Sequence, residues 1–109
     1  MSNTGAVRVR GMLGFAMRAG KVVIGTEQVT TALASRGRIK LVLIADGISN
    51  VTKDKITAKC KFYGVDCISL NMNSDELGDL LGKTYSPAAV ALTDEGFAAE
   101  IKKASQTIS

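Results

Sequence analysis

Histidine and tryptophan are absent from this 109-residue sequence, proline occurs once, and the remaining aromatics are three phenylalanines and two tyrosines. Without histidine, neither a Ser-His-Asp nor a Cys-His catalytic arrangement can form. Cysteine is scarce too: Cys60 and Cys67 are too few ligands for a zinc site and read as two reduced core thiols. No GxxxxGK[ST] loop is present, no GxGxxG follows a strand, and Gly11-x-x-Gly14 falls inside a predicted helix. The longest clean apolar runs, Leu41–Ala45 and Ala88–Leu92, are far too short to cross a bilayer. Met1–Gly5 lacks a positive start followed by an apolar stretch, so no secretory signal is expected and the cytoplasm is the default compartment. These absences leave no cofactor or metal to expect and little for an enzyme to work with.

What is there suits one domain spanning residues 1–109. Hydrophobic residues make up 46% and charged residues 22%, enough for a core built mostly from Leu, Ile, Val and Ala. The net charge of +4 is unevenly spread. Met1–Lys59 holds ten Lys/Arg against three Asp/Glu, +7, and Cys60–Ser109 holds four against seven, −3. A basic half points either to a polyanionic partner or to a solvated charged surface.

Periodicity organises the chain. Val9, Met12, Leu13 and Ala16 recur as one face of a helix over residues 6–19, with Gly20 as its stop. Val22–Ile24 is a short strand. Thr26 reads as the N-cap of a second helix running to about Ser35, with Val29, Ala32 and Leu33 inward. Lys40–Ala45 is a continuous apolar strand, as when both sheet faces are covered. A third helix over Val51–Tyr63 buries Ile56, Cys60 and Tyr63 and ends at Gly64. Val65–Leu70 is a strand, Asp75–Leu81 a helix capped by Asn73 or Ser74, Ala88–Thr93 a strand and Asp94–Lys103 a helix. Residues 1–5 and 105–109 are expected to fray. Alternating strands and helices imply an α/β domain with helices on both faces of the sheet.

The junction Gly25-Thr26-Glu27-Gln28 carries the most chemistry. A helix start exposes unpaired N–H donors and partial positive charge, where a phosphate or a polar base edge can dock. Gly25, lacking a Cβ, lets another backbone approach. Glu27, Gln28 and Thr31 share one exposed helix face opposite Val29 and Leu33. A Glu27 carboxylate accepts from guanine N1–H and N2–H₂, and Gln28 both donates and accepts. Lys21 before the first strand, and Arg36, Arg38 and Lys40 after the helix, can neutralise phosphates. The same residues also fit a capped helix with solvated polar groups. Gly82–Pro87 is a turn-rich loop into a buried strand. Pro87 stiffens its exit, and Tyr85 either stacks on an extruded base or packs back on the domain. Asp46, at the carboxyl end of a strand, is the best-placed single carboxylate for acid–base work, but a residue so placed is far more often a loop acceptor or helix cap.

In order and spacing, a set of residues resembles the kink-turn-binding ribosomal proteins of the large subunit, the "seven-Ae" and "thirty-e" type, in a bacterial branch. They are Gly25-Thr26, Val29-Thr30, Gly37, Lys40-Leu41-Val42, Ile44-Ala45, Cys60, Gly64-Val65, Leu77-Gly78, Gly82, Pro87-Ala88 and Val90-Ala91. The resemblance covers roughly residues 9–98. It implies a three-layer α/β/α sandwich around a small mixed four-stranded sheet, and a ribosome-associated monomer that binds a sharply bent internal loop of structured RNA, ribosomal RNA included. It places Glu27, Gln28 and Thr31 at the paired G·A steps, with Gly25 and Thr26 also RNA-binding where helix two opens. Thr84, Tyr85 and Ser86 fall over a flipped-out nucleotide, Pro87 closes that RNA-binding loop, and Lys21, Arg38 and Lys40 lie near phosphates. Glu27 stands where that family usually has Asn, Gln28 where it often has Glu, Thr31 where it often has Lys, and Gly47 where it has Asp. A carboxylate at 27 repels phosphate, and losing a lysine at 31 removes a backbone contact. The alternative on the same fold is a protein-interaction module without RNA.

Overall fold

The computed structural model describes residues 4–105. Along them run α1 (Thr4–Arg18), β1 (Val22–Ile24), α2 (Thr26–Leu33), β2 (Leu41–Asp46), α3 (Asn50–Tyr63), β3 (Cys67–Asn73), α4 (Ser74–Leu80), β4 (Ala89–Leu92) and α5 (Glu95–Ser105). Every expected element is present, with shifted ends. β3 begins two residues later than the apolar pattern suggests, because the chain is still closing α3: Gly64 turns left-handed at φ 68, and the Val65 N–H donates to the Cys60 carbonyl at 2.9 Å. β3 then runs on to Asn73, which caps α4. The Asn73 side chain accepts from the Glu76 N–H while the Glu76 carboxylate accepts from the Asn73 N–H, each at 2.9 Å. Of the residues expected to fray, Thr4 and Gly5 open α1 and Ser105 closes α5; the others lie outside the described residues.

The sheet order is β1-β4-β2-β3. β4 runs antiparallel to both β1 and β2, and β3 runs parallel to β2, so the sheet is mixed. The run from Leu41 to Ala45 is buried throughout because β2 is interior and covered on both sides. Alternation sorts its side chains. Leu41, Leu43 and Ala45, with Val90 and Leu92 of β4, pack against α1, α4 and α5 through Leu13, Leu77 and Ile101. Val42 and Ile44, with Ala89 and Ala91, pack against α2 and α3 through Val29, Leu33, Ile56 and Cys60. The result is a three-layer α/β/α sandwich.

Cys60 and Cys67 are both free thiols, and they touch. Their hydrogen bond, and then burial, pushes the Cys60 thiol far above the ordinary range. The same bond holds Cys67 below it, so Cys67 is the one that ionises first.

Strand directions bring three strand ends and one strand start to the same end of the sheet. The Gly25 N–H, just past β1, donates to the Ala89 carbonyl at 2.9 Å, and the Ala45 N–H of β2 donates to the Ala88 carbonyl at 2.9 Å. Asp46 pairs with Asn73 at the close of β3. The starts of α2, α3 and α4 and the loop before β4 therefore gather there. The loop lies directly on α4 because residue 78 has no side chain. A Cβ on Gly78 would sit 2.4 Å from the Tyr85 carbonyl oxygen and 3.3 Å from Pro87 Cδ. Gly78→Ala is expected to destabilise the domain by about 1–3 kcal/mol, the usual cost of overpacking. A denaturant midpoint equal to that of the unchanged chain would show that the loop does not rest on α4.

Candidate nucleic-acid interface

The passage from β1 into α2 takes place at one residue. Gly25 has φ 102 and ψ 149, a conformation essentially open to glycine alone. It is the N-cap itself, and Thr26 is the first helical residue, which corrects the expectation that Thr26 caps α2. The reason for glycine is also corrected. A Cβ at Gly25 would meet only the Gln28 side chain, its Oε1 at 2.5 Å and Cδ at 3.5 Å, the movable end of that chain, so its backbone angle rather than a close neighbouring backbone demands glycine. No side chain caps the helix. The N–H groups of Thr26, Glu27 and Gln28 therefore have no intrahelical partner and face the end of the sheet where the strand ends gather.

Four of the residues singled out from the sequence line one groove. Glu27, Gln28 and Thr31 of α2 form its wall with Ala32, Val23 of β1 lies at its base, and Arg38 reaches back from beyond the helix; its volume is about 370 Å³. Glu27, Gln28 and Thr31 are exposed, as their helical spacing requires. Glu27 is 84% exposed and lies 3.9 Å from the Lys55 ammonium on α3, a loose surface pair that contributes little to stability and leaves the carboxylate available. Lys55 thus supplies a cation beside α2, the helix whose own position 31 carries threonine.

The loop before β4 stands at the same end of the sheet. Tyr85 is 53% exposed, so its ring does not pack back on the domain, although its carbonyl is seated against Gly78. Pro87 is buried at the loop's exit. Ser86 donates its hydroxyl hydrogen to the Asp75 carboxylate, which pins the loop to the start of α4. Thr84 and Tyr85 remain as the exposed surface, and Ser86 is engaged in holding it.

Lys21 and Lys40 do not join this group. The Lys21 carbonyl accepts from the Thr93 N–H at 3.0 Å, and the Lys40 N–H donates to the Leu92 carbonyl at 2.8 Å. Both contacts lie at the end of β4 opposite Ala89. The Lys40 ammonium also sits 3.9 Å from Glu95. Placing these lysines beside the α2 entrance is therefore corrected: short strands carry them to the far end of the sheet. Arg36 lines a separate hollow with Phe62 and Tyr63. Asp46 ends β2 in solvent, and no group of three His, Cys, Asp or Glu among the described residues could hold a metal.

The basic first half of the chain resolves into two different surfaces. On the α1 side, Arg8 pairs with Glu100 at 2.8 Å and Arg10 with Glu76 at 3.7 Å. The Arg8 guanidinium, by hydrogen bond and charge, holds the Glu100 carboxyl below its ordinary range. On the α2–α3 side, the cations outnumber the carboxylates. Sequence reasoning missed Lys55, Gly78 and Asp75, whose roles arise only when α3 lies beside α2 and the loop lies on α4.

The chain belongs to the ribosomal protein L7Ae/L30e/S12e/Gadd45 family, whose sequence model matches residues 8–102. It is 34% identical over 92 residues to "RNA-binding protein YlxQ" of Enterococcus faecium, covering 84% of this chain and 85% of that protein. It is 32% identical over 93 residues to "Large ribosomal subunit protein eL30" of Sulfurisphaera tokodaii, covering 83% of this chain and 87% of that one. Among solved structures, a protein of unknown function from Bacillus halodurans C superposes with a TM-score of 0.82 at 28% identity, over 89% of this chain and 95% of that chain.

Gly25→Ala is expected to strain the β1–α2 junction by about 1–3 kcal/mol, since no L side chain rests comfortably at that backbone angle. Equilibrium unfolding checks this directly, and a variant as stable as the parent would mean that the junction relaxes without cost.

Proposed function

We propose that this chain is a non-enzymatic RNA-binding protein that holds a sharply bent internal loop of the kink-turn type and acts as a monomer on ribosomal RNA in the cytoplasm. The observation that carries the reading is the uncapped start of α2, with Glu27, Gln28, Thr31 and Arg38 along one groove and the anchored Thr84–Tyr85 loop at the same end of the sheet. Family membership and relatives named for RNA binding and for the large ribosomal subunit support it.

Each part has a chemical role on this reading. The open N–H groups of α2 and the Gln28 amide meet base edges that a kink exposes. The Glu27 carboxylate accepts from a guanine of a G·A step, and Lys55 beside it offsets its repulsion of the backbone. Arg38 neutralises a phosphate. Tyr85, exposed on a loop fixed at Gly78 and Asp75, stacks over an unpaired base.

Gel-shift titration with a kink-turn RNA tests the assignment. Gln28→Ala should weaken binding by about 1–3 kcal/mol, the scale of a lost base-edge contact. Glu27→Lys should steepen the salt dependence by about one phosphate contact and reduce discrimination against an RNA whose G·A steps are replaced by Watson–Crick pairs. Unchanged binding in both variants would remove the groove from the site. No affinity of the parent chain for any structured RNA at low salt would overturn the function in favour of a protein-interaction module.

A further inference from the structure

Helix α3 presents a solvent face of which the groove uses only Lys55. Val51, Lys55, Ala58 and Phe62 succeed one another at intervals of four, three and four residues, so they project in one direction. Val51 is 81% exposed and Phe62 76% exposed, which are large exposures for apolar side chains. Lys59 and Lys61 flank this stripe on either side. The helix carries four lysines against the single carboxylate Asp54. Among the described residues, no carboxylate lies within ion-pairing distance of Lys53, Lys59 or Lys61, and Lys55 reaches only Glu27. The arginines of α1 differ, because Glu76 and Glu100 pair with two of them.

The stripe has a direction relative to the groove. α2 and α3 start at the same end of the sheet and pack side by side, which is why Lys55 meets Glu27. From there α3 continues for 14 residues, or about 20 Å, and outruns the eight-residue α2. At its far end Phe62 and Tyr63, whose rings meet edge-on at 4.9 Å, border a hollow of about 240 Å³ shared with Leu33, Arg36 and Ile39. A row of cations therefore begins at Lys55 beside the proposed loop-reading groove, continues through Lys59 and Lys61, and ends at an exposed aromatic ring beside an arginine.

We propose that the outer face of α3 is a second RNA-contact surface, along which the stem leaving the bent loop is laid. Lys55, Lys59 and Lys61 meet its phosphates, and Phe62 stacks an unpaired base at its far end. The inference rests on the RNA-binding reading of the α2 groove. Charge selects the occupant: flexible ammonium groups on a helix with one carboxylate suit a polyanion, and Phe62 offers the sequence-tolerant stacking surface that single-stranded bases use.

Fluorescence anisotropy with two RNAs tests it: a minimal bent loop with short stems, and the same loop with one stem lengthened by a helical turn and ending in unpaired nucleotides. The parent chain should bind the longer RNA about tenfold more tightly, with a steeper log–log salt slope. The double variant Lys59→Glu/Lys61→Glu should lose that advantage and flatten the slope by one to two phosphate contacts, about 0.7–0.9 each, while binding the minimal RNA as the parent does. Phe62→Ala should weaken the longer RNA several-fold and leave the minimal RNA unaffected. If both variants bind the longer RNA like the parent, the α3 surface is overturned and the stripe belongs to a protein contact. Gln28→Ala run alongside separates the two failures. It should weaken both RNAs whatever happens at α3, and a parent chain that binds neither RNA overturns the groove and the α3 surface together.

Discussion

The arrangement depends on how the chain leaves its first strand. Gly25 takes a backbone angle reserved for glycine while its N–H is still bonded to Ala89 in the sheet. One residue is thus the last partner of β4 and the cap of α2. That economy leaves no room for a capping side chain, so the first turn of α2 keeps its N–H groups open. It also fixes where they open, because Ala89 is the first residue of β4 and the Thr84–Pro87 loop arrives immediately before it. The Gly25–Ala89 backbone hydrogen bond, continuing the β1–β4 pairing, brings the groove and the loop to one end of the sheet.

Charge is distributed by tertiary pairing more than by sequence. The first half of the chain is strongly basic, yet its helix α1 pairs with Glu76 of α4 and Glu100 of α5. What stays uncompensated is the α2–α3 layer. Glu27 is the exception there, and the Lys55 contact turns it from a repulsive charge into half of a loose pair. Such a pair contributes little to folding, since both partners are more than half exposed. Its consequence is local: a carboxylate beside an ammonium can accept from a base while a phosphate passes close by.

Periodicity made the layers legible. The five-residue apolar run Leu41–Ala45 announced a strand covered on both faces, and the spacing of Val29, Ala32 and Leu33 announced the buried side of α2. The same spacing put Glu27, Gln28 and Thr31 on its open side, which the groove reproduces. Three things could not be read. Thr26 was favoured as a cap on propensity, and the positive φ of Gly25 overrode that preference. Lys21 and Lys40 flank the right elements in sequence but lie at the wrong end of short strands, and Lys40 is drawn toward Glu95. Gly78 stood in the sequence only as a helix position and one residue of the family resemblance, although its use is steric and concerns Tyr85 and Pro87, residues it meets only in the folded chain.

Rigidity follows from how the two halves of the site are held. Val29, Ala32 and Leu33 root α2 in the core, so its exposed face cannot turn without repacking the sheet. The loop has no regular structure, yet it is seated at Gly78, tied by Ser86 to Asp75 and closed by the buried Pro87. Tyr85 is therefore an exposed ring on a fixed backbone. A surface built this way spends little conformational entropy on binding, so the bending is left to the ligand. On the proposed function, a nucleic acid that already favours a kink would meet it at the smallest deformation cost, and an unbent duplex of equal charge would meet the same cations at a disadvantage. Shape selection of this kind needs no dense set of base contacts, which fits a groove offering one carboxylate, one amide and one hydroxyl.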